Sequence, residues 1–214
     1  MQLYTYFRSS AAFRVRIALA LKGLTYESIP IHLLRDGGQQ LSADYAARNP
    51  ARLVPLLIDN ALSLGQSVAI IEYLEEQYPQ TPLLPSDHGA RAWVRSVALS
   101  IACDIHPLNN LRVLRYLKSP LNIDEPVRNE WSRHWIGLGF QAIEQMLAAR
   151  QQPGQCCYRD QPTLADCCLI PQAFNAQRLQ CDLQPFPLIR QIYAHCMQLP
   201  AFQAAAPGAQ PDAE

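Results

Sequence analysis

"FRSSAAFRVRIALALKG" runs from Phe7 to Gly23 and decides how the first third of the chain is read. It follows "QLYTYF" (Gln2–Phe7), whose composition is that of a strand. Phe13, Ile17 and Leu21 recur at i, i+4 and i+8, so a helix follows, with Gly23 at its C-cap. Two serines, Ser9 and Ser10, stand in the turn between strand and helix, flanked by Arg8 and Arg14. "YESIPIHL" (Tyr26–Leu33) is a second strand that alternates for part of its length. The three elements form a β-α-β unit, whose connection is expected to be right-handed.

The pattern continues outward. "LRDGGQQLSADYAARNP" gives a flexible loop at Asp36-Gly37-Gly38 and then a short helix that stops before Pro50. "LVPLLI" (Leu53–Ile58) and "ALSLG" (Ala61–Gly65) are strands joined by a turn at Asp59-Asn60. "QSVAIIEYLEEQYP" is a helix, with Val68, Ile71, Leu74 and Tyr78 on one face and Glu72, Glu75 and Glu76 off it. The order is β-α-β-α-β-β-α. "PQTPLLPSDHG" (Pro79–Gly89) is proline-rich and reads as a linker. Beyond it the strand signals stop. "ARAWVRSVALSIACDIHPLNNLRVLRYL" is helical with a break at Pro107, and "EPVRNEWSRHWIGLGFQAIEQMLAAR" is a helix close-packed at Gly137 and Gly139. In "PTLADCCLI", Thr163 and Asp166 form a capping box, with Leu164 and Leu169 spaced for burial. The tail "AAAPGAQPDAE" is low in complexity and expected on the surface. The chain thus divides into an α/β domain over 1–83 and an all-helical domain over 84–214.

Composition narrows the function. Lys+Arg and Asp+Glu balance at 18 each in 214 residues, with 17% charged. Nucleic-acid binders carry a basic patch or stripe, so none is expected here. No apolar run reaches the roughly 18 residues of a membrane span. The N-terminus lacks a charged start, a long apolar segment and a cleavage site, so no signal peptide is expected. Seven cysteines show no C-x-x-C, and five histidines show no zinc spacing. No metal is expected, and the thiols read as buried or incidental in a reducing cytoplasm.

Several separated stretches, taken in order, resemble the cytosolic glutathione transferases and within them the zeta class, which includes maleylacetoacetate isomerase. They are "FRSSAAFRVRIALALKG", "DGGQQ", "NPARLVPLL", "GQSVAIIEYLEE", "DIHPLNNLRVLRYL", "PTLADCCLIPQAFNAQR" and "FQAAAPGAQPD". The resemblance implies a thioredoxin-like N-terminal domain, an all-α C-terminal domain, glutathione as cofactor and a homodimer. It also implies glutathione-dependent cis–trans isomerisation of maleylacetoacetate to fumarylacetoacetate. Maleylpyruvate isomerisation, and transferase activity on small α-haloacids, are the alternatives.

The same resemblance assigns site residues. Ser9 assists the glutathione thiol, and Ser10 is a cap or secondary contact. Chemistry supports the first role: a thiol of pKa about 8.5 is mostly protonated at neutral pH. A donated hydroxyl and a helix N-terminus both favour the thiolate. Val54 precedes Pro55, whose peptide bond is expected to be cis, and offers its backbone to the cysteinyl part. Gln66 and Ser67 open a helix where the γ-glutamyl carboxylate binds, and Gln40 is a further contact. Arg8 and Arg178 face substrate carboxylates, since a guanidinium pairs with a carboxylate in bidentate fashion. His106 and Asn110, in "DIHPLNN", complete the set, with Arg112 as a neighbour. Animal members carry a cysteine just after the paired serines. Ala11 stands here instead, so the reacting thiol must arrive with glutathione.

Overall fold

The computed structural model describes residues 1–150 and 153–214, which form two compact units. One is Met1–Leu83 together with Gln198–Glu214, and the other is Leu84–Met197.

The first unit contains β1 (Gln2–Thr5), α1 (Ser10–Leu21), β2 (Glu27–Pro30), α2 (Ala43–Arg48), β3 (Leu56–Asp59), β4 (Leu62–Gly65) and α3 (Ser67–Gln77). The sheet order is β2-β1-β3-β4, with β1 and β2 parallel and the other neighbours antiparallel. This is the expected thioredoxin-like element order. Strand register defines one edge of this sheet. Thr5 pairs with Pro30, Tyr4 with Leu56, and Leu56 with Gly65. The ends of β1, β2 and β4 and the start of β3 therefore lie along that edge. The four segments that leave it carry Ser9, Gln40, Val54-Pro55 and Gln66-Ser67.

Helix α1 is buried from Ala12 to Leu19, arginines included. A helix buried on all sides needs cover on both faces. Here α3 packs on it, and so does α9 (Pro200–Ala205) from the C-terminal segment. Arg16, 1% exposed, donates to Thr5 Oγ1, the carbonyls of Tyr6 and Phe7, and the carbonyl of Ala205. Burial lowers its pKa to about 10. The tail packs with the first unit rather than the helical one, and only part of it lies on the surface as expected: Ala205, Pro207 and Gln210 are buried, and Asp212 Oδ2 accepts from the Phe7 N–H at 3.0 Å. Its short alanine-rich run carries no periodic signal, because its role is to cover α1 rather than to form a face of its own.

Helix α3 also departs from expectation. Ile71 and Leu74 are buried as expected, but Val68 and Tyr78 are only half-buried, and Ile70, which the expected face omits, and Glu75 are buried with them. Its carboxylate accepts from Lys22 Nζ and from the Leu83 N–H, both at 2.8 Å. A paired acid is tolerated inside where a lone one is not.

In the second unit, α4 (His88–Leu99) runs into a π-helical turn over Ser100–Ile105 and a 3-10 turn over His106–Asn109, and α5 (Leu111–Lys118) restarts the helix. The break falls at Pro107 as expected. Then come α6 (Glu125–Ala148), α7 (Leu164–Arg178) and α8 (Pro187–Cys196). Of the two α6 glycines only Gly139 is close-packed, since a Cβ there would lie 2.3 Å from Ile105; at Gly137 nothing lies within 4 Å. The capping box of α7 is present, and Thr163 donates to Asp166 from both its N–H and Oγ1 at 2.8 Å. Burial raises the pKa of Asp166 against these hydrogen bonds. All seven cysteines are free thiols, five of them buried. No helix among the described residues is long and apolar enough to cross a membrane.

Candidate active site

Ser9, not Ser10, is the N-cap of α1, with its oxygen accepting from the Ala12 N–H at 3.2 Å. That contact uses a lone pair and not the hydroxyl hydrogen, so capping and donation to a sulfur are compatible. Ser10 is the first helical residue. Arg8 is exposed and its guanidinium lies over the Phe7 ring, 4.9 Å from the centroid.

Gln40 is buried, and its amide sits against Gly38. Gly38 has φ +117°, and a Cβ there would meet both amide atoms of Gln40 at under 3 Å. Only glycine leaves that space. Gln40 Oε1 is buried without a hydrogen-bond partner, so an incoming N–H donor would satisfy it. The Val54-Pro55 bond is cis.

Gln66 is the N-cap residue of α3 and holds φ at +66°, a region that non-glycine residues rarely occupy. Such outliers cluster at ligand clamps. Ser67 is the first residue of α3 rather than its cap, and its Oγ accepts from the buried Arg14 guanidinium at 3.2 Å. Arg14, which the sequence leaves without a role, thus ties α1 to the first turn of α3. It adds positive charge beneath a helix N-terminus that already favours anions. The donors here (Ser9, Ser67, the N-termini of α1 and α3) suit a thiolate and a carboxylate. The acceptor Gln40 Oε1 suits an amide. This donor set fits a peptide thiol such as glutathione.

The remaining predicted residues, His106, Asn110 and Arg178, belong to the second unit. Asn110 caps α5 through Oδ1, and its Nδ2 lies 3.3 Å from His106 Nε2. A carboxamide nitrogen only donates, so His106 Nε2 is the acceptor in this contact. Arg112 is exposed. Arg178, at the end of α7, donates to Asn175 Oδ1 at 2.9 Å, and Asn175 in turn donates to Asn109. Neither buried asparagine stands out in the sequence. The doubled "NN" and the i, i+3 spacing of Asn175 and Arg178 are the only local signals of them.

Residues 3–82 match the family model described as "Glutathione S-transferase, N-terminal domain". The chain is 50% identical over 211 residues to a protein of Vibrio cholerae named "Probable maleylacetoacetate isomerase", covering 99% of this chain and 97% of that one. It is similar to a solved holo structure of maleylpyruvate isomerase, a bacterial zeta-class glutathione transferase, at 48% identity, TM-score 0.97 and full coverage of both chains. A maleylacetoacetate isomerase from Methylobacterium extorquens, solved with bound malonate and glutathione, matches at 37% identity and TM-score 0.95, again over both whole chains. With this fold and likeness along its whole length, the chain belongs to the zeta-class glutathione transferase and maleylacetoacetate isomerase family.

Proposed function

We propose that the chain is a glutathione-dependent cis–trans isomerase that converts maleylacetoacetate to fumarylacetoacetate. The observation that carries this reading is the common sheet edge. Ser9, Gln40, Val54-Pro55 and Gln66-Ser67 all leave it, with two helix N-termini opening there. Glutathione, when bound, supplies the thiolate whose reversible addition to the conjugated double bond lets that bond rotate. Ser9 donates its hydroxyl hydrogen toward the sulfur, and the N-terminus of α1 favours the negative charge. Ser10 is a secondary contact in the same turn. Gln66, Ser67 and the N-terminus of α3 hold the γ-glutamyl carboxylate, with Arg14 fixing Ser67. Gln40 accepts from an amide N–H, and Val54 offers its backbone to the cysteinyl part. Arg8 and Arg178 pair with the substrate's carboxylates. His106 and Asn110 add hydrogen-bonding groups.

The malonate in the Methylobacterium relative supports a small dicarboxylate as substrate. Maleylpyruvate is the second reading, favoured by the holo structure of similar fold. The free thiols suit a reducing cytoplasm, and a homodimer completes the reading. Turnover of both maleyl substrates, followed as loss of the cis enol absorbance with and without glutathione, tests it. Conversion only with glutathione is expected. No conversion of either substrate overturns it.

A further inference from the structure

The asparagines beneath Arg178 form a hydrogen-bond chain whose direction is forced at both ends. The Ile105 carbonyl can only accept, and Asn109 Nδ2 donates to it at 2.9 Å. Asn109 must therefore present Oδ1 on its other side, where Asn175 Nδ2 donates at 3.2 Å. Asn175 is left presenting Oδ1, which accepts from Arg178 Nη2 at 2.9 Å. A guanidinium can only donate, so the far end demands the same polarity. Asn109 and Asn175 are each 8% exposed, while Arg178 itself is exposed. Ordering an exposed arginine side chain costs binding energy each time a ligand is engaged, and a preformed hydrogen bond lowers that cost. The π-helical turn that ends at Ile105 brings the anchoring carbonyl to the root of the chain.

We infer that Asn175, oriented by Asn109, is a positioning residue that holds the Arg178 guanidinium for a dianionic substrate. It is neutral, so it orients the cation without cancelling its charge, as a carboxylate in its place would. This rests on the carboxylate role proposed for Arg178.

A double-mutant cycle on the full-length enzyme tests it, using Asn175→Ala, Arg178→Ala and the pair. KM is read for a maleyl dianion, with kcat, KM for glutathione and thermal midpoint alongside. Asn175→Ala is expected to raise KM for the dianion roughly tenfold, with little change in kcat or in KM for glutathione. In the Arg178→Ala background it is expected to add nothing, because the residue acts through the arginine. Fully additive effects, or a wild-type KM in Asn175→Ala, overturn the inference. If Arg178→Ala itself leaves KM unchanged, the carboxylate role falls and the positioning role with it. Asn175→Asp has the same shape and covers the case in which the alanine variant fails to fold. It is expected to raise KM for the dianion by neutralising the guanidinium, and an unchanged KM in that variant also overturns the inference.

Discussion

Ser9 does two jobs with one oxygen, and the two can be separated by measurement. Ser9→Ala removes the N-cap of α1, a loss of about 1 kcal/mol in unfolding free energy. It also removes the donor to the thiol. One pKa unit corresponds to a tenfold change in thiolate fraction near neutral pH, so kcat/KM is expected to fall at least about tenfold. A pH titration of thiolate absorbance in the enzyme–glutathione complex should move upward in parallel. Stability loss without that shift would leave Ser9 a cap alone. Gln66 makes the opposite trade. At φ +66° a glycine is unstrained, so Gln66→Gly is expected to gain up to about 1 kcal/mol in stability. The same change weakens glutathione binding, seen as a higher KM for glutathione beside a higher thermal midpoint. The serine turn can be read in sequence as a cap, because a hydroxyl at a strand–helix junction accepts from first-turn N–H groups, whereas its role toward a thiol comes from the family resemblance. Arg14 cannot. Its partner Ser67 lies 53 positions away, and nothing local in "FRVR" distinguishes an arginine that enters the interior from one that faces water.

Elements are legible wherever one period or one cap dictates them. The β-α-β start, the break at Pro107 and the Thr163–Asp166 box all obey local rules, and all are present. The box carries a further expectation. Asp166 is fully buried and accepts from the Thr163 N–H, Thr163 Oγ1 and the Cys157 N–H. Asp166→Ala leaves these donors unpaired and is expected to cost about 3 kcal/mol or more by urea denaturation. Asp166 also gives stability a pH slope. Its folded pKa is raised by burial, so above its unfolded value the folded state keeps a proton that the unfolded chain has released. Wild-type stability therefore falls as pH rises from about 4 through the folded pKa, whereas Asp166→Ala lacks that component. Glu75 is misplaced by sequence for the reverse reason. A charged residue reads as solvated by default, and only the structure brings Lys22 and the Leu83 N–H to it.

At the scale of the molecule, the C-terminal segment belongs with the N-terminal α/β unit. Phe202 is fully buried, so Phe202→Ala is expected to cost about 3–5 kcal/mol in unfolding free energy. A residue 202 on the surface would lose almost nothing. This return of the chain is invisible in a sequence whose tail is mostly alanine, proline and glycine, because cover for α1 is a long-range demand without local pattern. For the whole protein, glutathione is a cofactor and not a consumed substrate. The direct measurement supplies maleylacetoacetate in large excess over glutathione and monitors both the cis enol absorbance and the free thiol. Complete conversion to the trans product with all thiol recovered is predicted. Conversion that stops at one equivalent of glutathione, with thiol lost, would contradict the account.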